Sequence, residues 1–175
     1  MQRRSVVLAG LVLLFVVAGV LWYQTGSCST DVHMGIESQY TKQNVLSETS
    51  ESDLRLIDSN EERHVVITKA SEARYYLENG SAREAFALET EFSDSYVLVI
   101  QTVDSSTPRL EPRCLQRDDD IHVVEAALTH VSGPRTSDLR THSLVLRMPR
   151  ERGVSPANVT VRVTGHEVKP VYLRW

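Results

Sequence analysis

The sequence predicts a mainly β fold: an immunoglobulin-like β-sandwich of about seven strands with one short helix, preceded by a transmembrane helix. Three observations carry that expectation. From about Glu61, short runs rich in β-branched residues recur every 8–12 residues or so, with Gly, Pro, Asn or Asp between them. The intervals contain no helical stretch of the length a parallel α/β crossover needs. Ahead of them stands SVVLAGLVLLFVVAGVLWY, Ser5 to Tyr23, 19 residues without a charge.

Residues 1–23 read as a transmembrane anchor or signal segment. A bilayer core of roughly 30 Å takes about 20 apolar residues as a helix, whereas the core of a cleaved signal is about 7–15. Trp22 and Tyr23 close the run at the level of an aromatic belt. Arg3 and Arg4 precede it, and the first positive charge after it is Lys42. The positive-inside rule then places Met1 in the cytoplasm and the remainder outside, in a single-pass arrangement. Two alternatives export the domain equally well. Gln2-Arg3-Arg4-Ser5 is similar to a loose twin-arginine signal. Thr25-Gly26-Ser27-Cys28 is similar to a lipoprotein acylation box, with Thr where an aliphatic residue is expected.

Residues 24–60 read as an acidic flexible tether. Residues 24–62 hold eight acids and two bases, while residues 63–175 hold fifteen of each. Ser, Thr, Glu, Gln and Asn dominate the segment and Tyr40 is its only aromatic residue, too little apolar surface to offset the entropy of ordering. Leu54, Leu56 and Ile57 are expected to begin the fold as a short edge strand. A folded part without net charge offers no electrostatic footprint for nucleic acid.

The β-sandwich domain is expected over 61–175. His64–Lys69 is its first strand. Ser71 can cap a short helix over Glu72–Leu77, which Asn79-Gly80 ends. Residues 82–92 carry conflicting signals. Ser81 and Glu84 have capping-box spacing, yet Phe86, Leu88, Thr90 and Phe92 alternate as in a strand, and strand is preferred. Tyr96–Thr102 is apolar on both faces and reads as the central strand. Arg109–Gln116 follows a turn, and Pro112 makes it an edge strand or a bulge. Asp118-Asp119-Asp120 turns the chain into Ile121–Val131. His142–Met148 and Asn158–Thr164 are the next strands, with Val159, Val161 and Val163 facing inward. Val168–Leu173 closes the domain, with Pro170 again suggesting an edge.

With the strands placed, HVVITKASEARYYL, TEFSDSYVLVIQ, DDDIHVVEA, HSLVLRMP and ANVTVRV together resemble small exported, membrane-anchored haloarchaeal proteins of unassigned function. The resemblance covers roughly 64–164. A more distant likeness is to the protease-complex accessory domain of bacterial lipoproteins, in which a strand and short helix also precede an acidic-Phe segment and a buried strand. Glu91-Phe92 stands there in this chain, without the Gly-rich turn expected after the strand, so no functional residue carries over.

Few residues suggest chemistry. Cys28 and Cys114 admit two readings: a disulfide, or a buried Cys114 with Cys28 lipidated or free. A bridge closing so long a loop would contribute about 4–5 kcal/mol in the entropic account. Asp118-Asp119-Asp120 with His122 has the acids of a calcium loop but lacks its Gly and distal Glu, so a solvated hairpin turn is expected. The six His form no H-x-H or H-x-x-x-H pair, and on one strand His122 and His130 would stand roughly 27 Å apart. No metal is expected. No G-x-S-x-G elbow or C-x-x-C is present. Glu89 and Glu91 would share a solvated strand face, as would Arg109, Arg113 and Arg117, interrupted by Glu111. Asn79-Gly80-Ser81 and Asn158-Val159-Thr160 are N-glycosylation sequons, the first in a predicted turn.

These readings imply a cell-membrane protein with an extracytoplasmic, non-enzymatic binding or accessory module. Its expected partners are the membrane through residues 5–23 and an envelope protein or glycan, with no nucleic acid and no cofactor. An exported hydrolase or a structural envelope component is the alternative.

Overall fold

The computed structural model describes residues 36–46, 62–130, 138–164 and 166–170. The fold is mainly β. Its elements are β1 (Glu37–Thr41), β2 (Arg63–Ile67), α1 (Ala70–Tyr76), α2 (Ala82–Leu88), β3 (Ser95–Ser105), β4 (Pro108–Asp118), β5 (Ile121–His130), β6 (Leu139–Pro149), β7 (Val159–Val163) and β8 (His166–Pro170). Hydrogen-bonded neighbours run in the order β1-β6-β3-β2-β8-β7-β5-β4. Only Arg63↔Lys169 and His64↔Pro170 join β2 to β8, so the ladder divides there into two sheets.

β3 organises both. All eleven of its residues are in register with β6, and β2 lies on its other side. Period-two alternation sends successive side chains to opposite faces. Tyr96, Leu98 and Ile100 join Leu144, Leu146 and Met148 of β6 against Leu110 and Leu115 of β4, Val124 and Ala126 of β5, and Val161 and Val163 of β7. That is a core between two facing sheets, a β-sandwich-like arrangement. Val97 and Val99 face the other way, with Val65, Ile67 and Val145, and meet Ala73, Tyr76 and Leu77 at α1 and Phe86 and Ala87 of α2. The molecule therefore stacks helices, a central sheet and a second sheet.

Two strand pairs are parallel, β2 with β8 and β5 with β7. A parallel neighbour needs a crossover of a dozen or more residues. Between β5 and β7 that crossover contains β6, a strand of the opposite sheet, so no crossover helix is required.

Several expectations are corrected. The stretch 82–92 is not a strand: α2 occupies Ala82–Leu88. The capping signals prevail because both are realised. Ser81 Oγ accepts the Glu84 N–H at 3.1 Å, and the Glu84 carboxylate accepts the Gly80 N–H at 2.7 Å. Glu89 and Glu91 consequently lie after a helix and not on a strand face. There are two helices where one was expected. The first begins at Ala70, and Ser71 is not its cap. Instead, the Glu72 carboxylate accepts both the Thr68 N–H at 2.7 Å and the Thr68 hydroxyl at 3.0 Å. Gly80, at φ +72, supplies the left-handed residue of the turn between the helices.

The tether expected over 24–60 does not hold at 36–46. Residues Glu37–Thr41 pair with β6, and Val45 and Leu46 are buried in the helix-side core. Leu46 bridges Leu77, and Glu78 N–H donates to the Val45 carbonyl at 2.9 Å. Burying a Val or Leu side chain contributes about 1.5–3 kcal/mol, so two well-placed residues hold a segment whose average composition is polar. The expected anchor at 5–23 and the edge strand at Leu54–Ile57 lie outside the described residues. Among the described residues no helix is long and apolar enough to cross a membrane.

The prolines divide. β4 ends the ladder, and its register shifts between Pro112 and Cys114, so Pro112 marks both an edge and a bulge. β8 lies between β2 and β7, so Pro170 does not mark an edge; it is the last residue of its strand.

Leu46→Ala in the full chain is expected to cost about 2–5 kcal/mol in equilibrium unfolding, as a core truncation does. Ser38→Ala, on the exposed part of β1, should stay within about 0.5 kcal/mol. Equal and negligible effects would return 36–46 to the tether.

Candidate functional site

The core between the sheets contains two Tyr–His pairs of the same design, each with a buried imidazole. His122 lies on β5 at an inward position, two before Val124 and four before Ala126. Its Nδ1 is 2.8 Å from the Tyr96 hydroxyl, and the rings stack at 6.1 Å with planes 13° apart. His142 is inward on β6, in phase with Leu144 and Leu146. Its Nδ1 is 2.8 Å from the Tyr40 hydroxyl, and those rings stack at 6.1 Å and 22°. In the β3–β6 register Tyr96 lies opposite Met148 and Thr102 opposite His142. Six residues of strand, roughly 20 Å, separate the two levels, so the pairs close opposite ends of the apolar layer.

Their outer nitrogens differ. His142 Nε2 is 2.9 Å from the Ser105 carbonyl, which can only accept, so the ring donates there and takes the Tyr40 proton at Nδ1. His122 Nε2 has no hydrogen-bond partner and stands 3.7 Å from Glu151 Oε1. His122 is 1 % exposed, while the Glu151 side chain is 38 % exposed. A proton on Nε2 suits both neighbours, directing an N–H dipole at Glu151 and leaving Nδ1 to accept from Tyr96.

Charges around His122 come from two segments, Arg117 on β4 and Glu151 after β6. Arg117, its cross-strand partner on β4, pairs with Glu151 at 3.3 Å and donates from Nε to the Asp119 carbonyl at 2.9 Å. Burial pushes the His122 imidazole below its usual value; Glu151 opposes that shift and Arg117 reinforces it. Tyr96 is raised, first by burial and then by Glu151, with Arg150 opposing. Burial likewise raises Tyr40, whose ring lies 5.2 Å beneath the Arg109 guanidinium.

A second polar feature crosses the helix side. Arg63, Gln101 and Ser143 occupy one register row of β2, β3 and β6. Arg63 Nε donates to Gln101 Oε1 at 2.7 Å. Gln101 Nε2 donates to Asn44 Oδ1 at 2.9 Å and Ser143 Oγ at 2.8 Å, and Ser143 donates to the Gln43 carbonyl at 2.7 Å. The row ties the incoming 36–46 segment to the sheet.

The residues singled out in the sequence fall apart in space. Asp119 and Asp120 form the β4–β5 turn, with Asp119 at φ 53, and Asp120 accepts from Asn158 Nδ2 at 3.2 Å. The bulge breaks the expected common face of Arg109, Arg113 and Arg117. Arg109 stands 3.7 Å from Glu111 beside Tyr40, whereas Arg117 joins Glu151. Cys114 is buried and disulfide-bonded; Cys28 lies outside the described residues. Asn79 and Asn158 are both exposed. Among the described residues no three of His, Cys, Asp and Glu are grouped to hold a metal ion. Neither His122 nor His142 is hydrogen-bonded to a serine or threonine hydroxyl or a cysteine thiol. The Tyr–His pairs escaped the sequence reading, although their signal is present. Each His takes an inward position in a strand whose other inward residues are apolar.

No protein-family model matches the chain, no curated protein is similar to it, and no solved structure matches its fold.

Tyr96→Phe should cost about 1–3 kcal/mol, because it leaves His122 Nδ1 buried without its donor. The lowered His122 value sets the sign of a pH effect. The neutral ring's contribution is whole above about pH 6.5 and is lost as pH falls through the folded value. His122→Asn should flatten that acid limb in unfolding curves taken between about pH 4 and 8, and an unchanged limb would assign it elsewhere. In denaturant without reductant, Cys114 should take up no alkylating reagent, and it should react once reductant is added.

Proposed function

We propose that this chain is a membrane-anchored, extracytoplasmic binding or accessory module of the cell envelope, and not an enzyme. The observation that carries the reading is the disulfide-bonded Cys114 in a β domain that follows a 19-residue uncharged apolar run. Disulfides persist in oxidising compartments, and Arg3 and Arg4 before the run orient the domain outward. Residues 5–23 are the membrane contact, as a spanning helix, and a disulfide at Cys114 in a chain of two cysteines leaves no thiol for acylation. The imidazoles of His122 and His142 support the non-enzymatic part, since each hydrogen-bonds to a tyrosine hydroxyl. The resemblance to exported haloarchaeal proteins and to lipoprotein accessory domains points the same way.

Within this reading the scaffold is of the immunoglobulin-like sandwich class, and an envelope protein or glycan meets it through a sheet edge or loops. Of the two terminal strands, β4 is blunted by Pro108, Pro112 and its bulge. β1 carries no proline and is the edge better suited to strand addition.

Protease treatment of intact cells tests the topology. A C-terminal epitope tag should be removed while a tag placed before Arg3 survives, and crosslinking on intact membranes should then recover a complex that a Gln39→Pro edge variant loses. Protection of the C-terminal tag until lysis would overturn the reading.

A further inference from the structure

We infer that Asn79 is the acceptor of an asparagine-linked oligosaccharide, and that Asn158, the second sequon, is not. The inference rests on the extracytoplasmic reading above, because the glycan donor is met only after export. Each site is an Asn followed at the second position by a hydroxyl residue, and the sequence already favours the first, which it places in a turn. Their structural settings differ in three ways.

Asn79 lies in the turn between α1 and α2, exposed along with Glu78 and Gly80. Space around the turn is open, since a Cβ built on Gly80 would meet nothing within 4 Å. The bonds made by the sequon's own residues are local: Ser81 N–H to the Glu78 carbonyl, Gly80 N–H to Glu84, and Glu84 N–H to Ser81 Oγ; the long-range bond nearby, Glu78 N–H to the Val45 carbonyl, lies just before the sequon. An enzyme drawing the sequon into its cleft breaks bonds within one turn and leaves both cores intact.

Asn158 is exposed but engaged. Its Nδ2, the atom that would carry the sugar, donates to Asp120 Oδ2 at 3.2 Å. Its carbonyl accepts the His122 N–H at 3.0 Å. Val159 and Thr160, the rest of the sequon, are paired with His122 and Val123. Extracting this sequon separates β7 from β5 inside the ladder and disturbs the buried His122–Tyr96 pair.

The transfer balances with one co-reactant, an oligosaccharide on a polyisoprenyl phosphate or diphosphate in the membrane. Asn79 Nδ2 forms a bond to the anomeric carbon of the first sugar and gives up one proton. The bond from that carbon to the phosphate oxygen breaks, and the lipid phosphate leaves with the electron pair. Ser81 supplies the hydroxyl that the sequon requires. Because Ser81 Oγ acts as acceptor in the helix cap, its own proton is available to the transferase.

The test is the intact mass and the glycopeptide map of the full chain purified from membranes of the cells that make it. The expected result is a sugar-sized mass increment on the peptide containing Asn79, absent in Asn79→Gln and Ser81→Ala. It should be retained in Ser81→Thr and Asn158→Gln. A chain of unmodified mass whose C-terminal tag is nonetheless removed from intact cells would overturn the inference and leave the extracytoplasmic reading standing. An unmodified chain with a protected tag would overturn both. Sugar on Asn158 instead of Asn79, or on both, would overturn the discrimination drawn from the fold.

Discussion

β3 is apolar on both faces, and the remaining elements are arranged around that constraint. A strand with one buried face needs one cover; Tyr96–Ile100 needs two. Chain order supplies them in turn. The segment between β2 and β3 forms the helices that cover Val97 and Val99, and the β4–β5 hairpin with β7 covers Tyr96, Leu98 and Ile100. β6 runs beside β3 for its whole length because its own Leu144, Val145 and Leu146 face the same two cores. Once the β3–β6 pair is set, a one-residue slip would exchange the two faces, so register follows from burial.

Polar groups stand where these apolar layers end. Burying a hydroxyl or an imidazole costs free energy unless a partner is met, and the partners here come from distant parts of the chain. Tyr40 reaches His142 from the first strand, and Tyr96 meets His122 across the sandwich. The Arg63–Gln101–Ser143 row engages Gln43 and Asn44. Such bonds add little net stability each, but they penalise alternative placements of the 36–46 segment and of β5. Arg147 does similar work at the surface, donating to Thr90 and the Phe86 carbonyl while pairing with Glu37. One side chain thus joins α2, β6 and β1.

Much of this was legible in the residues. The two-faced character of Tyr96–Thr102, the hairpin at Asp118–Asp120, the inward valines of β7 and the disruption at Pro112 all follow from local pattern. Two of the corrected expectations show most clearly why local pattern misled. Phe86, Leu88, Thr90 and Phe92 alternate because one stretch spans a helix and the turn after it, while the Ser81–Glu84 cap decided the helix. Residues 36–46 were averaged into an acidic segment, although Tyr40, Val45 and Leu46 each have a specific place in a core. The Tyr–His pairs were half visible, as inward His residues without an evident partner.

The sequence by itself determined the periodicities, the breaks between elements, the apolar N-terminal run and the neutrality of the part after residue 62. These depend on neighbours within a few residues, and their physics is local. Tertiary structure alone decided that the connection from β5 to β7 passes through β6 in the opposite sheet, that β5 and β7 lie parallel, and that Tyr96 completes His122. It also decided that the Asn158 side chain is held by Asp120 while the turn at Asn79 stands open. Each of these depends on contacts between residues far apart in the chain. Such contacts are selected by which apolar faces can be buried together, which no window of neighbouring residues contains.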